Sequence, residues 1–263
     1  MWFDTHAHLG VSKFTGVTTR EADLIAAMNK HGVACALVMP QPTLEPISAI
    51  HDRIAALAEA HPFRIMGIAS PDPWMDERAY VKEVRRAVNG LGFVAVKLHT
   101  LGHSISPLAG PAEKVFGIAS ELGVPVIVHT GLGTPFALPS LVLPRALTYP
   151  ELPIILAHAG YAVYTDEALV AAEIAENIYL EPSWCATYQV RRFVETLGPG
   201  RLMMGSDHLD NVPVEMARYH ALALPPEAMR AIRYETALKV FKVPSSAWEA
   251  ACASAAKELG SLP

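Results

Sequence analysis

Two histidines one residue apart stand in the opening run Trp2-Phe3-Asp4-Thr5-His6-Ala7-His8-Leu9, directly after an apolar start. On a β-strand side chains alternate faces, so positions 4, 6 and 8 point the same way. His6 and His8 then present two imidazoles side by side, near Gly10, where the strand is expected to end. Imidazole nitrogen is a favoured ligand of zinc and its neighbours, so the pair is half of a metal site. The bland alternative, two polar residues at a surface strand end, leaves three polar groups on one face of a strand that begins at residue 2.

The other residues able to do chemistry also stand where short apolar runs end. One run closes as Val96-Lys97-Leu98-His99, another as Val128-His129, and a third as Leu156-Ala157-His158-Ala159-Gly160. A last one gives Met204-Gly205-Ser206-Asp207-His208. Trp184 follows Leu180-Glu181-Pro182-Ser183 and either lines a pocket wall or packs in the core. The remaining histidines, at 31, 51, 61, 103 and 220, fall in helices or loops, where most are expected to be solvated.

The elements that must position these residues alternate regularly. Strand candidates are 2–8, 33–39, 64–70, 93–99, 124–129, 153–158, 177–183 and 201–206. Between them run amphipathic stretches at about 20–31, 46–60, 76–89, 111–122, 139–148, 165–176, 188–197 and 213–240, the last read as two helices. Eight near-continuous apolar strands, each followed by a helix, imply a parallel sheet covered on its outer side. The chain of 263 residues suits one (β/α)8 TIM barrel, an α/β fold of about 250 residues. Residues 1–263 are therefore read as one barrel domain with a C-terminal helical extension from about 245. In such a barrel the C-terminal strand ends form the active-site mouth. The ionisable groups converging there, above apolar strands, favour a metal site over a set of structural histidines.

The ordered motifs resemble the amidohydrolase superfamily, and more narrowly its family 2 branch, related to aminocarboxymuconate semialdehyde decarboxylase. The likeness rests on Asp-x-His-x-His on strand 1, single histidines on strands 5 and 6, and the Asp of Gly-Ser-Asp on strand 8, over residues 2 to about 241. It implies a metal-dependent hydrolase in which His6, His8, His129 and Asp207 hold one divalent ion, Zn2+, with His158 as the catalytic imidazole beside it. Asp207 would serve both as ligand and as the base for metal-bound water, and the target would be an amide, lactone or ester bond of a small molecule. Lys97, His99 and Trp184 are the substrate-binding candidates.

Lys97 admits three readings. Some superfamily members carry a carboxylated lysine here, bridging two metals; a plain ammonium binding a substrate carboxylate is equally good chemistry; a snorkelling side chain is the third. The same ligands could also serve a non-oxidative decarboxylase of an aromatic or muconate-type acid. That reading ranks second, because the chain is compact and cations near the mouth are scarce, Lys97 and Arg20 being the candidates. A TatD-type DNase shares the strand-1 opening but places a glutamate where Lys97 stands, and a non-catalytic binder would need no group beyond four ligands.

Composition narrows the partners. Half the residues are apolar (51%), 18% are charged, and the net charge is −5 with no basic stripe, which argues against a nucleic-acid surface. No apolar run reaches the 18 or so residues of a membrane span, and Asp4, His6 and His8 interrupt any signal-peptide core. Three scattered cysteines, Cys35, Cys185 and Cys252, form no disulfide framework, which points to a reducing cytoplasm. The expected partner is a small-molecule substrate. A homo-oligomer is compatible with the sequence, the extension with Trp248 covering either a partner or the barrel base.

Overall fold

The computed structural model describes residues 1–133 and 135–259. Seven parallel strands follow one another around the sheet in chain order: β1 (Trp2–Val11), β2 (Val33–Pro40), β3 (Ile65–Ala69), β4 (Ala95–Leu98), β5 (Val126–His129), β6 (Ile154–Ala157) and β7 (Ile178–Glu181). The eighth position is filled by the segment 202–207. It bridges to β7 at Leu202, where Met203 N–H donates to Leu180 O at 3.0 Å. On its other side Thr5 N–H donates to Met204 O (2.9 Å) and Asp207 N–H to His6 O (2.7 Å). These bonds close the sheet into a single-domain (β/α)8 barrel, with a two-residue strand, Thr18–Thr19, folded back antiparallel on the end of β1.

Both faces of the sheet are buried, which is why the strands read as near-continuous apolar runs. Alternate residues feed two separate clusters. Trp2, Ala36, Val38, Val96, Leu98, Val128 and Leu156 pack outward under the helices. Phe3, Cys35, Leu37, Met39, Ile127, Ile155 and Met203 fill the barrel interior. The helices fall where the 3.6-residue period placed them, from Glu21–His31 and Ile47–Ala60 to Thr187–Leu197. The stretch read as two helices is Val212–Ala221 followed by a helical run through 226–240 with a π turn at Ala231–Glu235. No helix among the described residues is long and apolar enough to cross a membrane.

The C-terminal helix, Ser245–Leu259, seals the base of the barrel. Trp248 stacks on Phe3 (ring centroids 6.1 Å apart) and on Tyr234 (4.8 Å). Ala251 and Ala255 join the interior cluster. The fully buried Arg64 guanidinium reaches Glu258 at 2.9 Å and donates to the carbonyls of Val33 and Ala34, tying that helix to the start of β2.

Trp248 lies at the end of the barrel remote from the strand-end histidines. Trp248→Ala is expected to lower the unfolding free energy by about 2–3 kcal/mol, the scale of a lost, well-packed aromatic that is partly exposed. Urea denaturation measures the loss, and the metal content of the purified protein should not change.

Candidate metal centre and active site

The site begins with an irregularity in β1. Phe3 faces the barrel interior while Ala7 and Leu9 face the helices, so strict alternation would turn His6 and His8 outward. A register shift between Asp4 and Ala7 restores them to the interior, as a bulge does. Asp4 holds it in place. Its Oδ1 accepts the His6 N–H and the Ser206 N–H, both at 3.0 Å, and its Oδ2 accepts the Ser206 hydroxyl at 2.6 Å. Burial pushes this carboxyl up to about 7, against those donors. Asp4 thus staples β1 to the closing segment and does not face the ligand cluster.

Each histidine is oriented from behind. His8 Nδ1 lies 3.0 Å from Pro40 O, which can only accept, so the ring proton is on Nδ1 and Nε2 is a bare lone pair. His6 Nδ1 donates to Glu181 Oε2 at 2.7 Å, which likewise bares its Nε2. The two Nε2 atoms face each other at 3.2 Å, and Asp207 Oδ1 lies 3.2 Å from His8 Nε2 and 3.6 Å from His6 Nε2. Three acceptors with no proton between them repel unless a cation sits among them. This donor set, with its His6–His8–Asp207 atoms all within 4.8 Å of one another, fits a divalent ion.

Lys97 reaches the same point from β4, its Nζ 3.2 Å from His6 Nε2. It is buried and has no carboxylate partner within ion-pair distance among the described residues. Burial lowers its ammonium to about 8, with Asp207 and Glu181 pulling the other way. Asp207 Oδ2 accepts the Trp184 indole N–H at 2.8 Å, which fixes the carboxylate with Oδ1 toward the histidines.

His129 and His158 complete the rim. The rings of His129 and His158 are 4.8 Å apart, and His129 stacks on His99 at 4.5 Å. The His129 Nε2 lies 2.7 Å from Leu132 O, so the structure brings together three of the four expected ligands and leaves His129 turned to its own loop. His158 Nδ1 donates to Ser183 Oγ at 2.7 Å, and Ser183 in turn donates to Glu181 Oε2 at 3.1 Å. Burial holds His158, His6 and His99 neutral, well below the ordinary imidazole value. His158, Trp184 and Asp207 all have left-handed backbones (φ 66°, 67° and 65°), and the whole run from His158 to Ala162 has positive φ. Such strain collects at functional sites.

Glu181, which is not among the candidates legible in the sequence, is the shared anchor of His6 and, through Ser183, of His158. Its signal was a buried-strand carboxylate at a strand end, of the same kind as Asp207. Gly205 is the companion constraint: a Cβ there would meet Glu181 Cδ at 2.6 Å and His6 Cβ at 2.7 Å. Gly131 lets the loop after β5 touch the loop after β6, where a Cβ would meet Tyr161 Cβ at 2.4 Å. Arg20 is exposed and paired with Asp23, away from the mouth. His51, expected in solvent, is buried: it bonds Glu83 through Nδ1 and accepts the Ser70 N–H on Nε2. Asn211 and Glu215 orient the last two loops, Glu215 accepting the Trp184 backbone N–H and Asn211 donating to Ser206 O.

The sequence profile of the amidohydrolase family matches residues 4–243. No curated protein sequence matches at a significant level. Among solved structures, a dihydroxybenzoic acid decarboxylase from a Polaromonas species, with bound manganese and the inhibitor 2-nitroresorcinol, superposes with a TM-score of 0.73 at 17% identity, covering 92% of this chain and 97% of that one. A 5-carboxyvanillate decarboxylase from Sphingomonas paucimobilis gives 0.74 at 13% identity, with 92% and 99% covered. A probable 2-pyrone-4,6-dicarboxylic acid hydrolase from Acinetobacter baumannii, with citric acid bound, gives 0.69 at 15%, again with 92% and 99% covered. At these identities the likeness carries the fold.

Six imidazoles, His6, His51, His99, His103, His129 and His158, are lowered first by burial, His103 and His129 to about 4. For each, the unfolded chain takes its proton before the folded one, so the stability is full above about pH 6.5 and lost as pH falls toward the folded values. Asp4, raised to about 7, and Glu181, also raised by burial, work the other way by at most one proton each. Metal-depleted protein should therefore lose stability steeply between about pH 6.5 and 5, with a net uptake on unfolding of up to about four protons, each worth about 1.4 kcal/mol per pH unit. Urea midpoints across that range check it; a flat profile would mean that the imidazoles are not held neutral.

Proposed function

Because the chain belongs to the amidohydrolase family, we propose that it is a metal-dependent enzyme acting on a small carboxylic acid, and that its reaction is non-oxidative decarboxylation. One observation carries this reading: the Lys97 ammonium is buried beside His6 Nε2, and among the described residues no carboxylate lies within ion-pair distance of it. A substrate carboxylate is the missing partner. The acids named for the two decarboxylases and the pyrone hydrolase are all carboxylates on unsaturated rings, which supports the same substrate class. The ranking drawn from the sequence put hydrolysis first because cations near the mouth were scarce. A single desolvated lysine in the cavity answers that objection better than several at its edge.

His6, His8 and Asp207 are the proposed holders of one divalent ion, with His129 as the fourth donor once its ring leaves Leu132 O. A bound divalent ion supplies fixed positive charge that orients substrate oxygens and draws electrons from the bond to be broken. The nitrogen and carboxylate donors suit zinc, the expectation from the sequence, and also manganese, which is bound in the Polaromonas decarboxylase. Lys97 draws the carboxylate in. With its proton on Nδ1, His158 offers a bare Nε2 that would take up a proton from solvent water and then deliver it to the ring carbon, which keeps the electron pair of the broken C–C bond as carbon dioxide leaves. Trp184 keeps Asp207 oriented, and His99 walls the substrate.

A second reading, hydrolysis of a lactone or related ester, has its own support. Asp207 Oδ1 is set beside the histidine nitrogens, where it could take a proton from water, and one structural neighbour is a probable pyrone hydrolase. Both readings use the same ion and the same lysine.

Metal-loaded protein is expected to release carbon dioxide from one or more of a panel of hydroxylated benzoic acids, and lactone opening without any gas release would transfer the assignment to hydrolysis. Lys97→Met should keep one metal per chain and raise KM for acids roughly 10- to 100-fold, the worth of a charge-assisted hydrogen bond. Loss of metal, restored with activity by added short carboxylic acids, would instead make Lys97 a carboxylated bridge between two ions.

His158→Asn should keep fold and metal while lowering kcat by about 10²- to 10⁴-fold, the scale of a positioned proton-transfer group. Loss of metal in that variant would make His158 a ligand.

A further inference from the structure

Asp207 is held by two branches of hydrogen bonds that meet outside the barrel, on the helix Val212–Ala221. We propose that Glu215 of that helix is the positioning residue behind both branches. Acting through other residues, it fixes the Asp207 carboxylate and so sets the affinity of the centre for its ion. This rests on the reading of His6, His8 and Asp207 as the holders of that ion.

The first branch ends on the side chain. Glu215 is buried, and its Oε1 accepts the Trp184 N–H at 2.9 Å. Trp184 has a left-handed backbone (φ 67°), which a residue with a side chain keeps only under constraint. That turn aims the indole, whose N–H reaches Asp207 Oδ2 at 2.8 Å. Released to an ordinary φ, the ring would leave the carboxylate. Arg218 grips the other side of the same turn: it donates to Cys185 O at 2.6 Å and forms an ion pair with Glu215, one helical turn back.

The second branch ends on the backbone. Glu215 Oε1 also accepts the Asn211 amide at 3.0 Å, and that amide donates to Ser206 O at 2.8 Å. Ser206 O belongs to the peptide that leads into Asp207, itself left-handed at φ 65°. One carboxylate oxygen thus governs the side chain of Asp207 through Trp184 and its main chain through Asn211.

Glu215 and Arg218 are 1% and 9% exposed, and a buried ion pair gains little stability over apolar side chains of similar volume. Fold stability therefore gives little reason for the pair, whereas two fixed hydrogen-bond directions do. A carboxylate that turns freely presents Oδ1 to the histidines only part of the time, and ion affinity falls with that fraction.

Calorimetric titration of the metal-depleted full chain with Mn2+ and with Zn2+, beside the urea midpoint of each variant, tests this. Glu215→Leu combined with Arg218→Met removes both charges at similar volume. It should weaken ion binding about 10- to 100-fold, with a urea midpoint close to that of the native chain. Glu215→Gln, in case the paired variant does not fold, offers one acceptor where Trp184, Asn211 and Arg218 need two, and should weaken binding at least about fivefold. Adding the paired substitution to Trp184→Phe should cost no more than about threefold beyond Trp184→Phe alone, because both act along one chain. Trp248→Ala, destabilised at the remote end of the barrel, should bind the ion as the native chain does. Native affinity in the Glu215 variants, losses that simply multiply with that of Trp184→Phe, or an equal loss in Trp248→Ala would overturn the proposal.

The Trp184 indole N–H gives a readout that needs no metal. Identified in the nitrogen–proton spectrum by its absence from Trp184→Phe, it should exchange with solvent at least about tenfold faster in the paired variant or in Glu215→Gln. Faster exchange in a chain that takes up neither ion would keep Glu215 as the residue that places Asp207 and discard the metal reading. Native exchange would overturn the proposal, whether or not the ion binds.

Discussion

The structure is organised around an unfavourable arrangement: three hydrogen-bond acceptors, His6 Nε2, His8 Nε2 and Asp207 Oδ1, face one another in a buried space. Neither ring turns a proton toward the carboxylate, and the protein's own cation beside them, Lys97 Nζ, stands 3.2 Å from His6 Nε2, so packing must help to keep the three together. Asp4 does so at the seam of the barrel, Glu181 and Pro40 O by fixing ring protons on the far side, and Gly205 by leaving room for Glu181 and His6 to meet. A cation bound there binds the folded state and not the unfolded one, so site and fold stabilise each other by mass action.

The loops above the cluster carry their own cost. Five successive residues, His158 to Ala162, have left-handed backbones, four of them with side chains, and each non-glycine in that region costs of order 1 kcal/mol or more. Several contacts over-determine the run. Thr130 Oγ1 accepts the Gly160 N–H at 3.0 Å, Cys185 Sγ donates to His158 O, and Gln189 Nε2 donates to Ala162 O at 2.7 Å. The close passage of Gly131 against Gly160 leaves no room for the run to relax sideways. Ser183 then receives the His158 Nδ1–H, so the strained turn delivers an imidazole whose free nitrogen is a base.

Much of this was legible in the chain. Apolar runs at barrel spacing placed His6, His8, Lys97, His99, His129, His158 and Asp207 on one rim, because a parallel sheet leaves its polar residues nowhere else to go. The parts that escaped depend on non-local backbone geometry. Alternation from Phe3 cannot foresee the bulge that turns His6 inward, nor that Asp4 would spend its oxygens on Ser206. Glu181 sits in an apolar strand and looked like part of the run leading to Trp184; its role requires knowing that β7 passes behind β1. The direction of the His129 ring is set by the Leu132 carbonyl, a loop feature with no periodic signature. The buried His51 was misjudged because its partners, Glu83 and the Ser70 N–H, come from other elements.

The barrel is closed by its two ends. Thr5 is hydrogen-bonded to Met204, 199 residues later, and Phe3 is covered by Trp248. A chain emerging in order from the ribosome therefore carries its first two imidazoles exposed through most of synthesis, with no Asp207 to complete the cluster and no C-terminal helix to seal the base. Contacts of such long sequence separation are slow to form, because the entropy of closing the ring precedes its reward. During that interval His6 and His8 lack the carboxylate that faces them in the finished barrel, and the cluster of three acceptors waits on the last strand to be made.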